Sequence, residues 1–77
     1  MRCRCDFVEL RKAMVDAGFD TNSKLATASD VNRNTIGKIL SGKEQPSAPV
    51  MYKLTETLNL SSERAGRIFF NHNLRKT

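Results

Sequence analysis

Apolar residues in this chain come in short bursts, and each burst is soon cut off by a turn signal. Gly18, Ser29-Asp30, Ser41-Gly42, Pro46-Ser47 and Asn59 supply the breaks. Such residues interrupt regular structure for physical reasons. Gly tolerates left-handed backbone, Pro lacks a donor, and Ser, Asp and Asn bond their own backbone. Between the breaks the apolar spacing is helical. Phe7, Leu10, Met14 and Ala17 make one face of a first helix ending near Gly18. Thr21 or Asn22 caps a second that carries Leu25 and Ala26. Asn32 caps a third, with Ile36, Ile39 and Leu40 on one side and Gly42 just past its end. Ser47 opens a fourth, with Pro49 in the first turn, where its missing N–H costs nothing, and Val50, Leu54 and Leu58 at i, i+4 and i+8. Ser61 or Ser62 opens a fifth, with Ala65, Ile68 and Phe69 on one face. No segment alternates apolar and polar residues as a half-buried strand would. The expectation is an all-α, compact bundle of about five short helices, whose short connections make successive helices neighbours.

The 77 residues fit one domain, with a core from about residue 7 to 70 and short tails at both ends. No apolar run is long enough to span a membrane, and the basic start Met1-Arg2-Cys3-Arg4 lacks the apolar stretch of a signal peptide, so a cytoplasmic protein is expected. Cys3 and Cys5 cannot form a structural zinc site without two further well-spaced ligands, and a bridge between residues two apart would be strained. They read as two reduced thiols near a loose N-terminus, with redox sensing or an intermolecular disulfide as the rival. Catalysis is not expected. His72 stands alone, Cys and His are not paired, and there is no Gly-rich phosphate loop. No metal, cofactor or small-molecule site is visible, and Asp6/Glu9 and Asp16/Asp20 read as ordinary helix-surface acids.

The net charge is +5, which favours a polyanionic partner. Its distribution is more informative. Arg33, Lys38 and Lys43 fall in a window with no acid between Val31 and Lys43, whereas bases and acids alternate elsewhere, as in Glu9/Arg11/Lys12/Asp16 and Glu63/Arg64/Arg67. A clustered excess is a footprint; a mixed surface serves solubility.

Leu25 to Gly42 forms a unit: a short helix, a tight turn at Ser29-Asp30-Val31 and a second helix, as in a helix-turn-helix. Ala26 is small where the helices cross, and Val31, Ile36 and Ile39 plug the second helix onto the core. The ordered set Thr21-Asn22-Ser23-Lys24-Leu25-Ala26, Val31-Asn32-Arg33-Asn34-Thr35-Ile36, Ile39-Leu40-Ser41-Gly42-Lys43 and Pro46-Ser47 resembles the lambda-repressor-like, Cro/XRE family of DNA-binding domains. The resemblance runs from about Phe7 to Phe69 and needs no gap between Leu25 and Gly42. There are two departures. Asp30 stands where the family's turn usually has Gly, at a position that tends to need left-handed backbone. Ser29 stands where a larger apolar residue is common.

On a wheel of about 100° per residue, Asn34 and Lys38 lie opposite Ile36, Ile39 and Leu40, flanked by Gly37, Ser41 and Arg33. Asn pairs with adenine through two hydrogen bonds and Arg with guanine through two, and Thr offers a hydroxyl and a methyl. The resemblance implies base readout by Arg33, Asn34 and Lys38, and a base or phosphate contact by Thr35. It also implies a phosphate clamp at Asn22 and Ser23, where a helix N-terminus favours an anion. Asn32, Ser41, Lys43, Gln45 and Ser47 complete the expected phosphate contacts. Plainer roles compete: Asn32 is first a helix cap, Asn34 fits any exposed first turn, and Lys38 suits a solvated surface. Gly37 is unusual on an exposed helical position; close approach to the groove is one reading, drift at a tolerant site the other.

One reading helix contacts few base pairs, so a homodimer on an inverted-repeat operator is expected. Phe70 and Leu74, four apart, are the candidate dimer contacts; the rival is a tail that folds Leu74 over its own core. The reading is a sequence-specific regulator that binds double-stranded DNA, as a Cro-like repressor of a phage, prophage or mobile element. Alternatives are the DNA-binding antitoxin of a toxin–antitoxin pair and a protein-interaction module that keeps the fold without DNA binding. RNA binding is disfavoured because Tyr52 and the Phe residues are expected at core-like positions.

Overall fold

A computed structural model describes residues 5–70. They form five helices: α1 (Phe7–Asp16), α2 (Asn22–Ser29), α3 (Arg33–Leu40), α4 (Ala48–Thr57) and α5 (Ser62–Phe69). There is no strand among the described residues.

Every helix begins on a side-chain cap. Asp6, Thr21, Ser47 and Ser61 each accept the backbone N–H three residues on, at 3.1–3.4 Å. Asn32 instead accepts from Asn34 N, two residues on, at 2.7 Å. With Thr21 as the cap, Asn22 becomes the first residue of α2. The first four helices also close alike. Gly18, Asp30, Gly42 and Asn59 are the only described residues with positive φ, at 91°, 60°, 81° and 53°. The residue after each donates its N–H five residues back: Phe19 to Met14, Val31 to Ala26, Lys43 to Lys38 and Leu60 to Thr55, at 2.9–3.2 Å. This satisfies carbonyls a helix end would otherwise leave bare. Asp30 therefore adopts the left-handed turn its position demands. Lys53 of α4 supports it, with Nζ 3.3 Å from the Asp30 carbonyl and 3.9 Å from its carboxylate. Ser29 is buried, and its hydroxyl donates to the Leu25 carbonyl at 2.7 Å, so a polar side chain is tolerated there.

The core gathers Leu10, Ala13, Met14, Leu25, Val31, Ile36, Ile39, Leu40, Leu54, Leu58, Ile68 and Phe69. α2 packs on α3 and α4, and α1 packs on α3 and α5. Helix α3 is thus gripped from behind through Ile36 and Ile39, each 1% exposed, and its other side is turned outward.

Four expectations need correction. Ala17 is exposed, because α1 ends at Asp16 and Ala17 is only its cap; Ala13 fills the core instead. Cys5 is buried rather than loose. Its N–H donates to Gln45 Oε1 at 2.7 Å, and the next residue's N–H donates to the Ile68 carbonyl at 2.7 Å. The aromatics are mostly outside the core: Tyr52 is 68%, Phe70 53% and Phe7 40% exposed, while Phe69 is buried. Phe7 lies over the turn after α3, where a Cβ on Gly42 would come within 3.0 Å of its ring. Finally, α5 stops at Phe69, and Phe70 is its cap rather than part of the helix. Leu74 and Cys3 lie outside the described residues.

Candidate nucleic-acid interface

Arg33, Asn34, Gly37, Lys38 and Ser41 follow one another at i, i+1, i+4, i+5 and i+8, a strip along the outward side of α3. Together with Asn22 from α2 and Lys43 from the following turn, they line an open cleft of about 380 Å³. The turn fixed by Asp30 sets α2 against α3, and this brings Asn22 beside Gly37. A Cβ on Gly37 would sit 3.8 Å from Asn22 Nδ2, an ordinary contact. The protein's own packing therefore does not require glycine here.

The remaining expected contacts divide. Ser23 joins the cleft's edge, since Arg33 Nη1 donates to its hydroxyl at 3.3 Å. Thr35 is half-buried and lies outside the cleft lining. Asn32 uses its carbonyl oxygen on the Asn34 N–H, which leaves its amide nitrogen to donate. The Ser41 hydroxyl donates to the Lys38 carbonyl at 3.1 Å, and Ser47 caps α4. Gln45 is exposed, but its oxygen is engaged by Cys5, so only its amide nitrogen remains for a phosphate. Sequence reasoning missed that tie; nothing in the local pattern of Pro46-Ser47 or the N-terminal cysteines points to it.

The electrostatics favour the same surface. Lys12 pairs with Glu9, Lys24 with Asp20, Lys53 with Asp30 and Arg64 with Asp16, at 3.0–3.9 Å. Lys24 holds the Asp20 carboxyl below its ordinary range, first through the hydrogen bond and then through its charge. Among the described residues, Arg11, Arg33, Lys38, Lys43 and Arg67 have no acidic partner, and Arg33, Lys38 and Lys43 of these line the cleft. A surface with three uncompensated cations and short hydrogen-bonding side chains can bind a polyanion and read base edges.

A second surface was also missed. Ala48, Met51, Tyr52 and Thr55 of α4 meet Ala65, Phe69 and Phe70 around an apolar groove of about 200 Å³. Its signal was present, because Ala48, Met51, Tyr52 and Thr55 stand at i, i+3, i+4 and i+7. That second stripe on α4 was masked by the stronger one of Val50, Leu54 and Leu58. No helix among the described residues is long and apolar enough to cross a membrane.

Comparison with known proteins agrees with this architecture. The "Helix-turn-helix" family model matches residues 10–64. A similar solved structure is the restriction-modification controller protein C.AhdI from Aeromonas hydrophila, with a TM-score of 0.68 at 22% sequence identity, covering 77% of this chain and 88% of that one. No curated protein matches the sequence. DNA-binding transcriptional regulation is the function that the family match supports. The chain belongs to the lambda-repressor-like, Cro/XRE helix-turn-helix family.

Proposed function

We propose that this protein is a sequence-specific regulator that lays α3 in the major groove of double-stranded DNA and represses transcription by occupying an operator. The observation that carries the reading is the cleft itself. An acid-free helix face, three unpaired cations and the start of α2 converge on one open surface.

Arg33, Asn34 and Lys38 read base edges, with Thr35 at the margin. Asn22, Asn32, Ser41, Lys43, Gln45 and Ser47 face the phosphates on either side. The N-terminus of α2 adds free N–H groups and the positive end of its dipole next to Asn22.

One α3 discriminates over only a few base pairs, at about 1–3 kcal/mol each, so two copies acting on an inverted repeat supply the specificity a genome requires. The groove between α4 and α5, with Phe70 at its lip, is the face on which the second copy sits. The family resemblance favours a Cro-like repressor of a phage, prophage or other mobile element. Control of a restriction-modification system is what the similar solved structure does, and a small cassette regulator belongs to the same class.

Selection of bound duplexes from a random pool at moderate salt tests the proposal. Enrichment of an inverted repeat with half-sites about one helical turn apart is the expected result. A single short half-site removes the dimer. A pool that stays random removes sequence-specific binding.

A further inference from the structure

The sequence places Ser23 among phosphate contacts, and in the structure its hydroxyl is bonded to Arg33. Its hydroxyl is not the cap of α2, because Thr21 takes that role with the Lys24 N–H. Instead it accepts a hydrogen bond from Arg33 Nη1 at 3.3 Å, across ten residues of chain. Arg33 is the first residue of α3, and among the described residues no carboxylate competes for its guanidinium. The first turn of α2 also comes close to α3 at Asn22, whose Nδ2 would lie 3.8 Å from a Cβ added to Gly37.

We infer that Ser23 is a positioning residue for base readout: it holds the Arg33 guanidinium at the mouth of the cleft in the orientation that meets a base edge. The inference rests on the proposed function. The physical case is preorganisation. Arginine is long and rotamer-rich, so a free side chain loses much entropy when it docks. Its guanidinium is planar and carries five N–H donors. Fixing one donor on Ser23 sets the plane of the fork and leaves the other donors for a bidentate contact with a guanine. The hydroxyl is suited to the task, since it accepts from Arg33 while its own proton points elsewhere, and it brings no charge that would compete with the base. A carboxylate at this place would hold the guanidinium too tightly and repel phosphate.

Two roles for Ser23 then make different predictions. A phosphate contact contributes equally on every sequence. A positioning residue contributes only where Arg33 reads. The test uses the full-length protein and duplexes from the random-pool selection. The base pair read by Arg33 is first located as the position where Arg33→Ala loses its preference. Ser23→Ala, Ser23→Thr and the Ser23→Ala/Arg33→Ala pair are then titrated on the selected duplex and on duplexes changed at that base pair. Ser23→Ala is expected to cut the discrimination at that pair by about fivefold, from the typical net strength of an intramolecular hydrogen bond at an exposed site. Its effect should vanish when Arg33 is already Ala, and Ser23→Thr, which keeps the hydroxyl, should restore most of the preference. Ser23 is exposed, so melting of all variants is expected to match the wild type. An equal loss on all duplexes that persists without Arg33 would make Ser23 a phosphate contact and overturn the inference. So would an unchanged discrimination in Ser23→Ala. A wild-type protein with no preference among duplexes would overturn the proposed function as well, and the inference with it.

Discussion

Two exposed surfaces of this small bundle differ in nearly everything except their backbone. The face of α3 is made of short polar groups and unpaired cations around an open cleft. The groove between α4 and α5 is made of Ala, Met and aromatic side chains, with Tyr52 and Phe70 more than half exposed. Both sit on helices of eight to ten residues that start on a side-chain cap. The lesson is that helix rules place a surface, while its outward residues decide what it can meet. A polar, acid-free face meets a polyanion, and an exposed aromatic groove meets protein.

The sharpest way to break the comparison is to empty the α3 face. Arg33→Ala or Asn34→Ala should lower discrimination at one or two base pairs by about 1–3 kcal/mol, roughly fivefold or more, with unchanged melting. Lys43→Ala should weaken every duplex alike and reduce the slope of log affinity against log salt by about one. Equilibrium titrations on selected and altered duplexes distinguish the two patterns. If Arg33→Ala loses equally on all sequences, Arg33 is a phosphate contact.

Next comes the groove. Phe70→Ser should weaken self-association about tenfold in sedimentation equilibrium, because an exposed aromatic anchor typically contributes more than 1 kcal/mol. The monomer fold should persist, since Phe70 is 53% exposed and only caps α5. A variant that associates as tightly as the wild type removes this face from the dimer.

Gly37→Ala probes the cleft floor. Replacing Gly in a helix should stabilise by about 1 kcal/mol, and the added Cβ meets nothing closer than Asn22 Nδ2 at 3.8 Å. If DNA approaches α3 closely there, affinity should fall while the melting temperature rises. A rise in both would leave Gly37 without a role at the interface.

A last effect, confined to alkaline pH, concerns the buried thiol just before α1. Burial, and then the charge of Asp6, pushes the Cys5 thiol up to about 11 from an ordinary 9.0. The folded chain keeps a proton there that the unfolded chain loses. Stability from this group is therefore complete below pH 9.0 and declines as pH rises towards about 11. Melting curves of wild type and Cys5→Ala across that window should converge at the alkaline end. The buried thiol should also react slowly with thiol reagents near neutral pH.

Much of this was legible in the chain. Apolar period and punctuation located all five helices, because local caps and left-handed closures, Asp30 included, agree with the global packing. The candidate site was legible for the same reason: once Ile36 and Ile39 face inward, geometry forces Arg33, Asn34 and Lys38 outward. Contacts between distant segments were not legible. The Cys5–Gln45 bond spans forty residues and the Ser23–Arg33 bond ten, and neither leaves a periodic trace. The exposed Tyr52 was misread because aromatic residues are buried more often than not, and its stripe on α4 is secondary to the core stripe.

The central claim is that the α3 face meets DNA and the α4–α5 groove does not. Backbone amide spectra of the labelled protein, titrated at fixed protein concentration with a selected duplex, test it most directly. The largest changes should fall on Asn22, Ser23, Arg33 to Ser41 and Lys43, with Met51, Tyr52 and Thr55 little moved. Changes centred on Tyr52 and Phe70, with the α3 amides undisturbed, would contradict it.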